Sequence, residues 1–324
     1  MGLKRRTKMN KKMNVFELTL TSAIVGIILM LALIPQIGFV TILPGVSLTI
    51  VHIPVLVGIF ILRKLRSAII FGITFGIGSM IASFIYAASA FDFAFQYPWV
   101  SILPRLGFGI AAYYIIVLFG KLATLKQGRL LIFGIVSLVT VFALFYGFRA
   151  IATNVGMSPY TSLLGEQATI QNKLTKTNLT QEQIDNYNAR LDEIELEIDA
   201  AYDKAVARTP KYQQNVAALS LLLSVGFLVL YFAFINKPGS HFQIPSAVVL
   251  STIAHTILVL AAVALFSPSA FVETFGNSQT VIAIVFAIAM SNGLIEALVA
   301  ALIATPIVQA INSKKESGID LEKV

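Results

Sequence analysis

Five polar side chains sit inside segments otherwise built for lipid, and these are the places where the chain could do chemistry. Asn292 and Glu296, in "MSNGLIEALVA", lie within an apolar run from Val281 to about Ile307. A separation of four residues puts both on one face of a helix, a turn apart. Asn292 offers donors and an acceptor about twelve residues, roughly 18 Å, from the outer end of that helix. His52, in "IVHIPVLVG", and His255, in "STIAHTILVL", stand in two further apolar stretches, and Arg105 opens another in "SILPRLGFG". Polar groups at membrane depth are costly, so each marks a candidate contact with a ligand, an ion path or a partner. The guanidinium of Arg105 suits a carboxylate, and Glu296 with His255 has the makings of a proton relay. Each also has a plain structural alternative. Asn292 can bond a neighbouring backbone where Gly293 loosens the helix, and Glu296 can pair with a histidine as structural glue. His52 can answer the carbonyl that Pro54 frees, and Arg105 can anchor the interface.

Composition says what elements must position these groups. Of 324 residues, 57% are hydrophobic and only 12% charged, about half the charged share of a soluble domain. An integral membrane protein is expected. The net charge of +8 does not argue for nucleic acid, because the basic residues are scattered over short inter-helix loops and form no single face. There is no cysteine, hence no disulfide and no thiolate metal site. No G-x-x-x-x-G-K-[ST] loop, His-Glu-x-x-His pair or G-x-S-x-G elbow occurs, and three histidines give little basis for a metal centre. The chain is therefore expected to be no enzyme, to bind no ATP through a P-loop of its own and to need no cofactor.

A spanning helix takes about 17–25 mostly apolar residues. Eight stretches are candidates: Leu18–Ile34, Ser47–Leu62, Ser67–Ala88, Val100–Gly120, Leu130–Phe148, Val216–Ile235, Pro245–Phe266 and Val281–Ile311. With the N-terminus inside, the lysines and arginines of residues 4–12, 63–66, 121–129, 237 and 314–323 all fall in the cytoplasm. The short outer loops at Gly38–Gly45, Ala90–Trp99 and Ser267–Asn277 hold no Lys or Arg. This alternation predicts both termini in the cytoplasm. Outside the polar segment below, Arg105 and Arg149 are the exceptions. The basic stretch before the first span reads as a cytoplasmic tail, not a removed signal.

One outer connection is long and polar, from Ala150 to Gln214. Thr180 and Gln183 form a capping-box pattern there. Ile184, Tyr187, Leu191, Ile194 and Ile198 follow at three-and-four spacing, with Leu163, Ile170 and Leu174 upstream as a facing stripe. The pattern predicts an antiparallel helical hairpin outside the membrane, at about 153–213. It is either an insertion without chemistry or a lid or docking arm. Asn178-Leu179-Thr180 matches a glycosylation sequon, a short motif of little weight.

In order along the chain, "LTIVHIPVLVGIFIL", "AIIFGITFGIGSMI", "PWVSILPRLGFGIAA", "STIAHTILVL" and "SNGLIEALVAALIATPIV" resemble the substrate-binding S components of energy-coupling factor (ECF) vitamin transporters. The similarity runs from about Glu17 to Ile311, apart from one block. It implies an all-α integral membrane protein with a six-helix core and both ends in the cytoplasm. The core helices would fall in residues 17–128 and 237–311, between a basic tail at 1–16 and a second tail at 312–324. Residues 129–236 would be an inserted transmembrane pair carrying the hairpin.

By the same resemblance the chain would be the specificity subunit of an ABC-type importer in the plasma membrane. It would capture a vitamin or related small molecule at the outer face, with pantothenate the leading candidate and a pyridoxine- or pyrimidine-type compound next. Its partners would be a membrane coupling (T) subunit and two cytoplasmic ATPases. Arg105, Asn292, His52, His255 and Glu296 would line or support the site, with Asn292 nearer the ligand. Three departures are visible. The family's glycine-proline-lysine turn after its second helix reads "LRKLRS" here, which keeps the charge and loses the tight turn. His255-Thr256 stands where Asn-Thr is common, and Ser22-x-x-x-Gly26 replaces Ala-x-x-x-Ala on the face that meets the coupling subunit. Two rivals remain open: a stand-alone proton-coupled carrier using Glu296 and His255, and a membrane scaffold or sensor acting through the hairpin.

Overall fold

Runs dense in Ile, Leu, Val, Phe and Ala become helices here because, in lipid, each segment must satisfy its own backbone hydrogen bonds. The computed structural model describes residues 15–34, 38–43, 46–87, 90–174, 179–275 and 281–316. In chain order its elements are α1 (Val15–Leu33), β1 (Phe39–Leu43), β2 (Val46–Thr49), α2 (His52–Leu62), α3 (Leu65–Tyr86), α4 (Ala90–Ala94) and α5 (Pro98–Ala123). They continue with α6 (Gly128–Leu174), α7 (Gln181–Asn236), α8 (Gln243–Phe266), α9 (Pro268–Phe275) and α10 (Val281–Glu316). Among the described residues, seven helices are long and apolar enough to cross a membrane. The chain is a helical, multi-pass membrane protein. The sequon asparagine, Asn178, and the tails at 1–14 and 317–324 lie outside the described residues.

The expected all-α membrane architecture holds, with one local addition and two adjustments. The addition is a short antiparallel pair, β1 on β2, in which Phe39 faces Thr49, Val40 faces Leu48 and Thr41 faces Ser47. β-branched residues recur through 39–49, and they favour a pleated pairing over a helical start. The second predicted span therefore loses its first turn. It begins at His52 rather than Ser47, and its 11 residues reach only about 16 Å at helical rise, short of a bilayer core. Finally, the helices that carry the spans predicted at 130–148 and 216–235 do not end where the polar segment begins, although a spanning stretch is found at Gly128–Arg149. Helices α6 and α7 run on unbroken for 47 and 56 residues, about 70 and 84 Å.

The described contacts fall into two compact units, residues 1–136 with 234–324, and residues 137–233. In the first, α3 packs on α5, α5 on α8 and α8 on α10. Glycines set the α3–α5 approach. A Cβ on Gly72 would lie 2.5 Å from the Arg105 carbonyl oxygen, and one on Gly76 would lie 2.6 Å from the Ile102 Cα. In return, a Cβ on Gly109 of α5 would strike the Ala68 carbonyl. Small residues that let backbones touch are a main source of helix association in membranes. At one end of this unit, the buried carboxylate of Glu17 on α1 binds Lys64 Nζ at 2.5 Å and Arg66 Nη2 at 2.7 Å. That fastens the first helix to the α2–α3 turn.

The turn itself is tight without a glycine, contrary to the loss expected from "LRKLRS". Arg63 takes the left-handed conformation, with φ 49°, and its N–H closes on the Ile59 carbonyl at 2.8 Å. A side chain in that region carries a steric cost that glycine does not. Arg63→Gly is therefore expected to raise stability by about 0.5–1 kcal/mol, measured as a shift in the unfolding midpoint of the purified protein.

In the second unit, α6 and α7 run antiparallel. The predicted capping box is present: Thr180 N–H donates to Gln183 Oε1 at 3.0 Å, and Gln183 N–H to Thr180 Oγ1 at 3.3 Å. Ile170 and Ile194 are buried between the helices. Arg190 clasps Glu166 with two hydrogen bonds, at 2.8 and 3.0 Å, and so holds the Glu166 carboxyl below the usual carboxylate range.

Pro159, inside α6, cannot donate to the carbonyl of Val155 and crowds that turn. Arg208 on α7 donates there in its place, Nη2 to Val155 O at 2.9 Å beside the Ser158 hydroxyl at 3.0 Å, and Nε to the neighbouring Gly156 O at 2.7 Å. Gly156 admits Thr209 so closely that a Cβ would collide with it. Arg208→Ala should cost about 1–2 kcal/mol, because the Gly156 carbonyl loses a charged donor and the Val155 carbonyl keeps only the Ser158 hydroxyl, at 3.0 Å. In a Pro159→Ala background the cost should shrink, since the helix then answers Val155 itself. A double-mutant cycle by thermal unfolding that gave strictly additive losses would contradict this account.

Candidate functional site

The site is built from helices α2, α3, α5, α8 and α10 of the first unit. Helix α8 carries the polar stripe Ser251, Thr252, His255 and Thr256, a four-residue repeat that lays them along one face. All but Thr256, which is half-buried, are buried. His52, at the start of α2, is completely buried and brings Nε2 to 3.2 Å from Thr252 Oγ1. Its ring stacks on His255 with centroids 5.6 Å apart and planes 25° apart. Phe108 of α5 and Phe75 of α3 close on the His255 ring at 4.7 and 5.3 Å. The carbonyl that Pro54 might have orphaned is that of Ile50, but the Ile53 N–H already takes it at 2.9 Å. His52 is thus left for Thr252 and His255.

Phe75 has a second neighbour. The guanidinium carbon of Arg105 lies 5.6 Å from its centroid and 4.7 Å from that of Phe95. Arg105 is therefore not an interfacial anchor: only 4% of it is exposed. Its Nη1 donates at 2.8 Å to the Val100 carbonyl, the one that Pro104, four residues on, leaves without a helical donor. Phe95 is held in turn by the core of Ala94, Val100, Val263 and Phe271. Its carbonyl accepts from the Ser101 hydroxyl.

Glu296, on α10, is buried and tied at both oxygens. Oε1 accepts from the Thr49 N–H at 2.8 Å, and Oε2 lies 3.2 Å from the Thr256 hydroxyl. The carboxylate thereby joins α10 to α8 and to the end of β2. Gly293, one turn earlier, makes room for Thr256, whose side-chain atoms begin 3.2 Å from where its Cβ would be. Neither histidine is hydrogen-bonded to Glu296, so that alternative does not hold.

Four of the five predicted residues thus belong to one connected cluster: Arg105 through Phe75 to His255, then His52 and Thr252, with Thr256 and Glu296 one turn along α8. Asn292 is half-buried and makes no hydrogen bond to the other four. Ser22 and Gly26 lie on the exposed face of α1, where a Cβ on Gly26 would meet nothing within 4 Å. Sequence reasoning passed over Thr252 and met Thr256 only as the neighbour of His255, although their place in the α8 stripe was a readable signal. It also passed over Phe75, Phe95 and Phe108, which in apolar helices carry none. Among the described residues, no three His, Asp or Glu side chains converge as a metal site requires.

Chemically, the cluster can recognise a polar molecule. Donors and acceptors are present in an aromatic setting. Among the described residues of the cluster, no hydroxyl is paired with a histidine–carboxylate couple. The chain matches no protein-family model, no curated protein and no solved structure.

Proposed function

We propose that the chain is a substrate-specificity subunit of an ECF-type importer, binding a vitamin-like small molecule and performing no chemistry of its own. The observation that carries this reading is the buried polar cluster of Arg105, His52, His255 and Glu296. These groups come from four helices: Arg105, His52 and His255 lie among the rings of Phe75, Phe95 and Phe108, and Glu296 is joined to them through Thr256. Burying them costs free energy unless they are satisfied, and a bound polar molecule would return that cost. Energy for uptake would come from a membrane coupling subunit and two cytoplasmic ATPases.

On this reading six helices form the binding core, residues 129–236 are an inserted pair, both ends are cytoplasmic and the hairpin stands outside. The separate clustering of residues 137–233 supports such an insertion. The shared position of Glu17, Lys64 and Arg66 supports one membrane side for the chain's start and the α2–α3 turn. The exposed small face at Ser22 and Gly26 is the surface offered to the coupling subunit. Gly26→Leu should therefore leave ligand binding intact and cut uptake in cells about tenfold or more, as a lost helix–helix contact would.

The primary test is native mass spectrometry of the purified protein, repeated on Asn292→Ala and Arg105→Ala. One vitamin-sized mass, lost in both variants, is expected; pantothenate is the first candidate. An empty protein in every case, with no thermal stabilisation by any vitamin, would overturn the reading.

A further inference from the structure

We infer that the ligand of this cluster is a small organic monocarboxylate, held side-on by Arg105; the inference rests on the small-molecule-binding reading above. The guanidinium is buried, and among the described residues no Asp or Glu forms an ion pair with it. Glu296, the carboxylate of the same cluster, has its oxygens on Thr49 and Thr256 instead. A buried charge without a counter-ion is among the costliest arrangements in a protein. The guanidinium's surroundings also leave one of its edges unsatisfied. The rings of Phe75 and Phe95 lie within cation–π range, and Nη1 is taken by the Val100 carbonyl. Nε, on the opposite edge, has no hydrogen-bond partner among the described residues.

Nε and Nη2 on that edge present two parallel N–H groups, the fork that a carboxylate engages in plane with both oxygens. One guanidinium, with no lysine beside it among the described cluster residues, balances one negative charge. A phosphate ester, nearly twice as charged, would be left half-compensated. The Nδ1 atom of His255 is also buried and without a hydrogen-bond partner among the described residues, and its ring shares Phe75 with the guanidinium, at 5.3 and 5.6 Å from the Phe75 centroid. It offers a second polar contact to the body of the same molecule. Aromatic walls favour an organic acid over a bare inorganic anion, whose hydration they could not replace.

The test pairs acids with neutral counterparts of nearly the same shape. The full-length protein in nanodiscs is titrated with pantothenate against panthenol and with nicotinate against nicotinamide, followed by thermal unfolding and calorimetry, with chloride and phosphate as inorganic controls. In at least one pair the acid is expected to bind about 10–100-fold more tightly, the range of a charge-assisted bidentate contact. Arg105→Gln should erase that preference. Arg105→Lys, which keeps the charge and loses the fork, should weaken the acid while still favouring it. The comparison in the unmodified protein decides even if Arg105→Gln fails to fold.

Equal binding of acid and neutral partner, or binding by the neutral members alone, overturns the carboxylate and leaves the vitamin-binding reading standing. Stabilisation by chloride or phosphate equal to that by the acids also overturns it. Silence from every compound overturns the carboxylate, and the vitamin-binding reading falls with it only if the native mass spectra are empty as well.

Discussion

Gly72→Ala is expected to destabilise the protein by about 1–3 kcal/mol, the usual cost of forcing one carbon into a filled interior. The same change should weaken any ligand that depends on Arg105. The clash is with backbone, not with the end of a flexible side chain. The new methyl would sit 2.5 Å from the Arg105 carbonyl oxygen and 3.1 Å from the Leu106 Cα. Relief therefore requires α3 and α5 to separate. Separation would move the Arg105 backbone away from α3, and with it the guanidinium resting near Phe75. Gly107→Ala, on α5 itself, is the matched control. Its Cβ would touch only the Leu258 side chain at an ordinary 3.6 Å, so the change should be close to neutral. Thermal unfolding of both variants checks the packing, and titration with the acids above checks the coupling to the site. Equal stability in the two would mean that the α3–α5 approach is looser than these distances.

What could be read in advance divides along physical lines. Spans were legible because hydrocarbon imposes a length and a composition on any crossing segment. Arg105, His52, His255 and Glu296 were legible because a polar group is conspicuous where apolar ones are the rule. Their aromatic neighbours were not, since a phenylalanine facing a site and one facing lipid look alike in a sequence. The β1–β2 pair was missed because 39–49 is apolar enough to pass for a loop followed by a helix start. Its alternation becomes decisive only once the two strands pair. The long helices α6 and α7 were divided at the change from apolar to polar residues. A change of solvent does not end a helix; lost donors and steric conflicts do. Pro159 provides both, and Arg208 donates there in its place as α6 continues.

Glu296→Gln is expected to retain most of the stability and ligand binding, whereas Glu296→Ala should lose about 1–3 kcal/mol from the orphaned Thr49 N–H alone. The amide keeps an oxygen for the Thr49 N–H and offers its NH2 to the Thr256 hydroxyl, which can accept as readily as it donates. Alanine offers neither, and it unties α10 from α8 and from the end of β2 together. The pair of variants also separates the importer subunit from the proton-coupled carrier. A glutamine cannot pick up and release a proton, so a relay through Glu296 would stop at Glu296→Gln even with ligand still bound. In a binding subunit powered by ATPases, uptake should persist at roughly its original rate with Glu296→Gln and fall with Glu296→Ala in step with affinity. Both oxygens of Glu296 are engaged by Thr49 and Thr256, and neither histidine is hydrogen-bonded to it. The geometry is that of a fastening among three segments, and a fastening survives the loss of its charge where a relay does not.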